Sequence, residues 1–247
     1  MAIKITHLDN SGFLVEFPDV FLVFDYYIDP AHNVKKALEH HPDKPVIFFV
    51  THIHEDHYNK DIFNLGQSHK RVYVLPDELP SRDVRDDIPA DWMHPGDDVT
   101  IGDIDVKAFG STDRGVSYLV TMPDGFTVFH AGDLNNWHWK EESTPREVHK
   151  AAEAFTVIVD RIAAVAPRID VVFFPVDVRL GSCCAEGAEQ FLKTINTGNF
   201  IPMHFKGDYD MACAFQNYKI PEEVRQRTAM YCLHKPGQSI EIKMSAK

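Results

Sequence analysis

The sequence is poor in cysteine and has no paired cysteine motif. It contains four cysteines in 247 residues, and none of them forms a C-x-x-C pair. We therefore expect neither a zinc knuckle nor a disulfide framework. The favoured interpretation is a set of buried or incidental thiols. The four residues are Cys183, Cys184, Cys213 and Cys232.

Long apolar runs and an excess of positive charge are also missing. The longest apolar stretches, such as residues 46–50 and 171–176, are far too short to span a bilayer. The first residues show no basic segment followed by an apolar one, so we expect a cytoplasmic protein without a membrane partner. A formal net charge of −12 disfavours nucleic acid, which requires basic surface. The expected partner is a small-molecule substrate, and the oligomeric state stays open.

No low-complexity linker, internal repeat or block of charge divides the chain. Its hydrophobic fraction of 44% and charged fraction of 25% are ordinary for a globular protein. A chain of this length commonly folds as one domain, so we expect a single domain over residues 1–247. Strand patterns dominate at first, and strands alternate with helices later. This order favours two sheets flanked by helices.

Several segments have clear signals for their secondary structure. Pro45–Val50 is a continuous apolar run, which is typical of a strand buried on both faces. A long helix is predicted from about residue 145 to 165, with Thr144 as its cap and Pro145 in its first turn. Ser182 is predicted to cap a helix that runs to about residue 195, and Phe200–Met203 is predicted to be a strand.

Histidine is abundant, and its densest cluster follows the buried strand directly. The run is Thr51-His-Ile-His-Glu-Asp-His57. Histidines two positions apart on an extended segment point the same way, so His52 and His54 can bind one metal ion. A turn at Asp56 and His57 would direct these side chains to a neighbouring position. Two metal sites about 3.5–4 Å apart can activate a bridging water.

This run resembles the H-x-H-x-D-H signature of the metallo-β-lactamase superfamily. Two later segments resemble the remaining motifs of that family. In residues 129–133 the aspartate would bridge both metals, and in residues 202–205 the histidine would complete the second site. The resemblance implies an α+β fold, namely a four-layer αββα sandwich. The metal ligands that it implies are His52, His54, Asp56, His57, Asp133 and His204.

The expected cofactor is zinc, as one or two ions, with manganese or iron as alternatives, because imidazole and carboxylate ligands suit all three metals. One departure from the family affects the number of ions. The family supplies a further histidine at a strand end that corresponds here to residues 108–115, which contain none. Asp113, or its neighbours Ser111 and Thr112, could substitute, whereas His94 is poorly placed. We therefore expect one firmly held ion and a second that is weaker or absent.

Other residues are candidates for supporting the metal ligands or contacting the substrate. Asp25 stands where the family often keeps an aspartate that supports the ligands. For Trp137 the alternative is core packing, and for the two cations it is a surface ion pair. His130 is interpreted as a packed or supporting residue. The predicted supporting or substrate-contacting set is Asp25, Trp137, His138, Arg179 and Lys206.

The resemblance implies a hydrolase that uses metal-activated water on a small ester, lactone or phosphoester. Asp56 would also handle the proton of that water. A mononuclear iron oxidoreductase acting on a thiol is one alternative, although di-iron relatives carry a carboxylate where this chain has His54. The missing histidine motivates a second alternative, a non-catalytic metal- or ligand-binding protein of the same fold.

Overall fold

The computed structural model describes residues 1–80, 84, 88–139, 141–215, 220–233 and 235–244. The chain divides into two compact units, which are described separately below. The first unit comprises Met1–His94 together with Lys235–Lys247, and the second comprises Pro95–His234. This division does not test the expectation of a single domain, which stays a prediction.

The first unit is built on a seven-stranded mixed sheet. Its strands, in chain order, are β1 (Ala2–Asp9), β2 (Gly12–Glu16), β3 (Phe21–Phe24), β4 (Val46–Phe49), β5 (Arg71–Pro76), β6 (Ala90–Met93) and β14 (Ser239–Lys243). The order across the sheet is β14-β1-β2-β3-β4-β5-β6. Neighbours from β14 to β3 are antiparallel, and those from β3 to β6 are parallel. Helix α1 (Asn33–His40) lies in the connection from β3 to β4.

The parallel strands of this sheet determine where Asp25 and the histidine-rich run lie. Strand β4 is buried along its whole length, as its apolar run predicts. It pairs in parallel with β3, in a register that sets Phe24 beside Phe49. The carboxyl ends of both strands therefore meet at one edge of the sheet. Asp25 follows one strand, and the histidine-rich run follows the other.

The second unit also contains a seven-stranded mixed sheet. Its strands are β7 (Asp98–Ile101), β8 (Ile104–Gly110), β9 (Val116–Thr121), β10 (Thr127–His130), β11 (Arg168–Pro175), β12 (Asn196–Met203) and β13 (Ala229–Met230). The sheet order is β13-β12-β11-β10-β9-β8-β7. Strands β10 to β13 run parallel, whereas β7 to β10 alternate in direction. Its helices are α2 (Pro145–Val165), α3 (Glu186–Thr194), α4 (Asp210–Ala214) and α5 (Glu222–Arg227).

Helix α2 has the boundaries that the sequence predicts. The Thr144 side chain accepts a hydrogen bond from the backbone of Glu147, and the Glu147 side chain accepts one from the backbone of Thr144. This reciprocal pair is a capping box, and Pro145 occupies the first turn, where its missing N–H has no cost. Phe155, Val159 and Ile162 form the buried stripe of the helix. The predicted long helix and its cap are confirmed.

Two expectations about the second unit are wrong. Ser182 does not cap a helix, because α3 begins only at Glu186, and the Ser182 hydroxyl instead donates to the Glu141 carboxylate. Cys213 and Cys232 form a disulfide across a separation of 19 residues, so the interpretation of all four cysteines as thiols fails for this pair. Cys183 and Cys184 are buried thiols, as expected.

The predicted fold class is confirmed. Two mixed sheets accompanied by helices make the chain an α+β protein. Across the described ranges, we find no helix with the length and apolar character needed to cross a membrane.

Candidate metal centre

In the first unit, the H-x-H-x-D-H run gathers its side chains at the carboxyl end of β4. The His52 Nε2 atom lies 3.0 Å from His54 Nδ1, and the rings of His52 and His57 have centroids 4.0 Å apart. Asp56 Oδ2 lies 3.5 Å from His57 Nε2. Two ligands of one tetrahedral zinc ion stand about 3.3 Å apart when the metal–nitrogen bonds are about 2.0 Å. The spacing of these atoms is therefore that of a metal-binding set.

Asp25 contacts this set through Thr51 and His57. Its carboxylate accepts hydrogen bonds from the Thr51 backbone N–H at 2.8 Å and from the Thr51 hydroxyl at 2.7 Å. Its Oδ2 atom also lies 2.7 Å from His57 Nδ1, and Asp25 and His57 are both fully buried. A carboxylate on one ring nitrogen fixes the tautomer and directs the other nitrogen toward a metal.

Asn10 orients the carboxylate of the same run. It lies in the turn between β1 and β2, and its Nδ2 atom donates to Asp56 Oδ2 at 2.8 Å. A second, longer contact joins Nδ2 to the Asp56 backbone oxygen at 3.4 Å. The amide donates to one carboxylate oxygen of Asp56 from a fixed direction. This hydrogen bond therefore restricts the orientation of the Asp56 carboxylate.

In the second unit, a matching arrangement surrounds His204. This residue follows β12, and its Nδ1 atom lies 2.9 Å from Asp177 Oδ2. Its Nε2 atom lies 3.3 Å from Asp133 Oδ1. Asp133 follows β10 after Gly132, whose φ of 54° is accessible to glycine at low cost. The parallel strands β10, β11 and β12 thus bring three buried polar residues together at their carboxyl ends.

Asp177 is held in its ionised form. Burial acts to raise the pKa of its carboxyl group, but hydrogen bonds from His204 and Arg179 outweigh that effect and leave the pKa well below its ordinary value of 3.8. Arg179 approaches through Nε, 3.0 Å from each carboxylate oxygen. The sequence left Arg179 open as a substrate contact or an ion pair, and the structure gives it this ion pair.

Left-handed backbone conformations occur at several of these residues. Among the described residues, five that are not glycine have a positive φ. Three of the five are Asn10 at 47°, Asp25 at 43° and His204 at 67°. Asparagine, aspartate and histidine enter this left-handed region more readily than other residues with a side chain, so these conformations carry little strain.

The strand end that lacks the expected histidine, at residues 108–115, forms hydrogen bonds of its own. The Thr112 hydroxyl bonds to the backbone of Asn135, with the Asn135 N–H donating to it at 3.0 Å. The Asp113 backbone N–H donates to Ser111 Oγ at 3.2 Å, and Asp113 is exposed. The three residues therefore form a polar turn that ties this strand end to the segment after Asp133. Substitution for the missing ligand by Asp113 stays a prediction.

The remaining candidates occupy varied positions. Trp137 donates from Nε1 to the Asp133 backbone oxygen at 2.7 Å, and its ring centroid lies 5.8 Å from that of His204. His130 is buried and accepts a hydrogen bond from a nearby backbone N–H. Lys206 is exposed. His94 Nε2 lies 3.3 Å from Asp77 Oδ2, which follows β5, and its exclusion from the metal site stays a prediction.

Sequence reasoning missed two of the supporting residues. Asp177 is not among the predicted supporting residues, yet it is fully buried against His204. Its position just past a buried strand, like that of Asp25, is the signal that could have identified it. Asn10 gave no comparable signal, because nothing in the spacing of a turn near residue 10 points to a carboxylate at residue 56.

Comparison with known proteins agrees with this geometry. A model of the family described as "Beta-lactamase superfamily domain" matches residues 4–204. A UPF0173 metal-dependent hydrolase from Nitratidesulfovibrio vulgaris is 31% identical over 147 residues, which are 54% of this chain and 59% of that protein. A second one, from Desulforamulus reducens, is 31% identical over 144 residues, or 53% of this chain and 61% of that protein. The matched regions thus cover only about three fifths of these relatives.

A solved structure supports the fold over nearly the whole chain. Igni18, a metallo hydrolase from the archaeon Ignicoccus hospitalis, superposes with a TM-score of 0.68 over 99% of this chain and 100% of that one, at 16% identity. Similarity at this level of identity concerns the fold alone. Because the family model matches residues 4–204, which are most of the sequence, the chain belongs to the beta-lactamase superfamily.

Proposed function

We propose that this protein is a metal-dependent hydrolase that acts on a small ester, lactone or phosphoester. One observation carries the proposal. In each unit, a buried histidine contacts a supporting aspartate through Nδ1 and faces a second aspartate through Nε2. The two histidines are His57 and His204. The relatives named as metal-dependent hydrolases support the same activity.

The chemistry of these groups favours a bound cation. A neutral histidine that donates its Nδ1 proton to an aspartate carries a lone pair on Nε2. In both cases that lone pair faces a carboxylate oxygen, at 3.5 Å from Asp56 and 3.3 Å from Asp133. Two acceptors at this distance repel each other unless a positive charge joins them. A divalent ion bound by nitrogen and oxygen meets that need, and we propose zinc, with manganese and iron as the alternatives.

The side chains divide the work of hydrolysis. A divalent ion held by these residues would supply Lewis acidity that lowers the pKa of water and polarises a substrate oxygen. Asp25 and Asp177 hold the two histidines in one tautomer and orientation. Asp56, oriented by Asn10, is placed to accept a proton from the attacking water and to pass it to the leaving group.

A depression of about 490 Å³ lies beside the histidine-rich run. Apolar and charged groups line it, but none of the six predicted metal ligands does. Its lining residues are Ile53, Glu55, Tyr58, Asn59, Lys60 and Pro80.

The proposal is tested by a hydrolysis screen with aryl esters, lactones and phosphoesters. At least one class is expected to be hydrolysed, with activity lost after dialysis against a chelator and restored by zinc or manganese. Oxygen consumption with a thiol, dependent on added iron, would instead identify an oxidoreductase. Metal binding without turnover of any compound would favour a binding protein.

A further inference from the structure

A second group of metal-binding side chains lies within the second unit. It consists of His138, Cys183 and Glu186, each of which offers one ligand atom within 4.8 Å of the others. His138 follows the Asp133 segment, Cys183 ends the 3-10 turn Val178–Cys183, and Glu186 begins α3. None of these three residues belongs to the ligand set that the family resemblance implies.

His138 contacts Glu186 within this group. Its Nε2 atom lies 3.1 Å from Glu186 Oε2. The residue is only 3% exposed, and its Nδ1 atom has no hydrogen-bond partner among the residues that the structure describes. A buried ring nitrogen in this state loses its bond to water without replacement. A metal ion shared with Glu186 would bind Nε2, the nitrogen that faces this carboxylate, and would keep the proton of the neutral ring on Nδ1.

The backbone around the group is closely packed, which limits where its side chains can go. Gly187 lies so near to Asn135 that a Cβ atom would stand 2.0 Å from the Asn135 side-chain oxygen. The start of α3 and the segment that carries His138 therefore touch at a position where only glycine fits. Cys183 itself is 1% exposed and packs with Leu180, Cys184 and Trp137.

We propose that His138, Cys183 and Glu186 form a separate binding site for a thiolate-preferring divalent metal of the zinc class. Metal–nitrogen and metal–oxygen bonds of about 2.0 Å and a metal–sulfur bond of about 2.3 Å set the ligand atoms about 3.3–3.7 Å apart. The three ligand atoms lie within 4.8 Å of one another, and His138 Nε2 and Glu186 Oε2 lie 3.1 Å apart. Three protein ligands leave a fourth position for water.

The charges of the site balance on binding. Cys183 releases its thiol proton to solvent and binds as the thiolate, because only the deprotonated sulfur is a metal ligand. Glu186 contributes a second negative charge, and His138 binds as the neutral ring. One thiolate and one carboxylate thus neutralise a divalent ion. A sulfur ligand also distinguishes this site from the predicted centre, which contains only nitrogen and oxygen ligands.

Trp137 lies near both positions inside this unit. Its indole packs with the Cys183 cluster and also lies near the His204 ring. The proposal does not depend on the hydrolase activity, since it rests on residues outside the predicted ligand set. A bound ion here would link the Asp133–His138 segment to the turn that carries Asp177, and so would support the surroundings of His204.

The test is titration of the metal-free full-length protein with Co²⁺ alone, followed by near-ultraviolet absorption. A thiolate bound to cobalt gives an intense charge-transfer band that nitrogen and oxygen ligands do not give. We expect this band in the wild type and its complete loss in Cys183→Ser. The matched control is Cys184→Ser, which removes the neighbouring buried thiol and is expected to keep the band.

Two further variants keep the test decisive if Cys183→Ser does not fold. Glu186→Gln, at a half-buried position, is expected to raise the cobalt dissociation constant at least about tenfold, and His57→Ala is expected to leave the band unchanged. Absence of the band from the wild type would overturn the proposal. Its survival in folded Cys183→Ser, or its loss in Cys184→Ser alone, would do so as well.

Discussion

Replacement of Asp56 by asparagine is expected to lower kcat by about 10²–10⁴-fold, the usual contribution of a positioned general base. Asparagine cannot take up a proton at neutral pH and is a poorer metal ligand than a carboxylate. Its side-chain oxygen can still accept the hydrogen bond from Asn10 that is now 2.8 Å long. The fold should therefore survive, and the measurement is steady-state kinetics on the substrate class that the screen identifies.

The neighbouring residue provides the matched control. Glu55→Gln removes one negative charge from the same run at an exposed position, and kcat is expected to stay within about threefold of the wild type. Equal losses in both variants would mean that the charge of the run matters and that Asp56 has no specific role. An unchanged kcat in Asp56→Asn would remove this residue from the proposed mechanism.

Replacement of Asp177 by asparagine is expected to weaken metal binding by about 10–100-fold, the usual effect of losing a group that orients a metal ligand. The carboxylate now accepts from His204 at 2.9 Å and pairs with Arg179. An amide in its place can donate as well as accept, so it no longer enforces the tautomer in which His204 Nε2 carries the lone pair. Isothermal titration with zinc measures the change.

Asp208→Asn serves as the control for this substitution. Asp208 lies a few residues after His204 and is exposed. Its substitution therefore removes one negative charge from the region without contacting the His204 ring. Its zinc affinity should match that of the wild type. If Asp177→Asn also retained full affinity, the buried contact with His204 would be structural only, and the assignment of His204 as a metal ligand would lose its main support.

The parts of the fold that were predictable depend on local signals. The apolar run before the histidines predicts a buried strand, and β4 is such a strand, parallel to its neighbours β3 and β5. Thr144 and Pro145 predict the start of α2, and the structure gives both residues their predicted roles. In both cases the sequence signal lies within a few consecutive positions of the chain.

The parts that were missed depend on contacts between distant positions. Asn10 meets Asp56 across 46 residues, and Cys213 meets Cys232 without any spacing motif. Ser182 looked like a helix cap because of its type and place, but a tertiary hydrogen bond to Glu141 takes its hydroxyl. Local patterns cannot reveal such pairs, since only the folded backbone brings them together.

Metal content per chain tests the central claim most directly. The measurement is elemental mass spectrometry on protein purified without added metal or chelator, in a Cys183→Ser background that excludes the thiolate site. We predict close to one tightly bound equivalent of zinc or manganese, which the further substitution His57→Ala removes. Metal-free protein, or metal content that His57→Ala does not change, would contradict the account. Two tightly bound equivalents would refute the expectation of a single firm site.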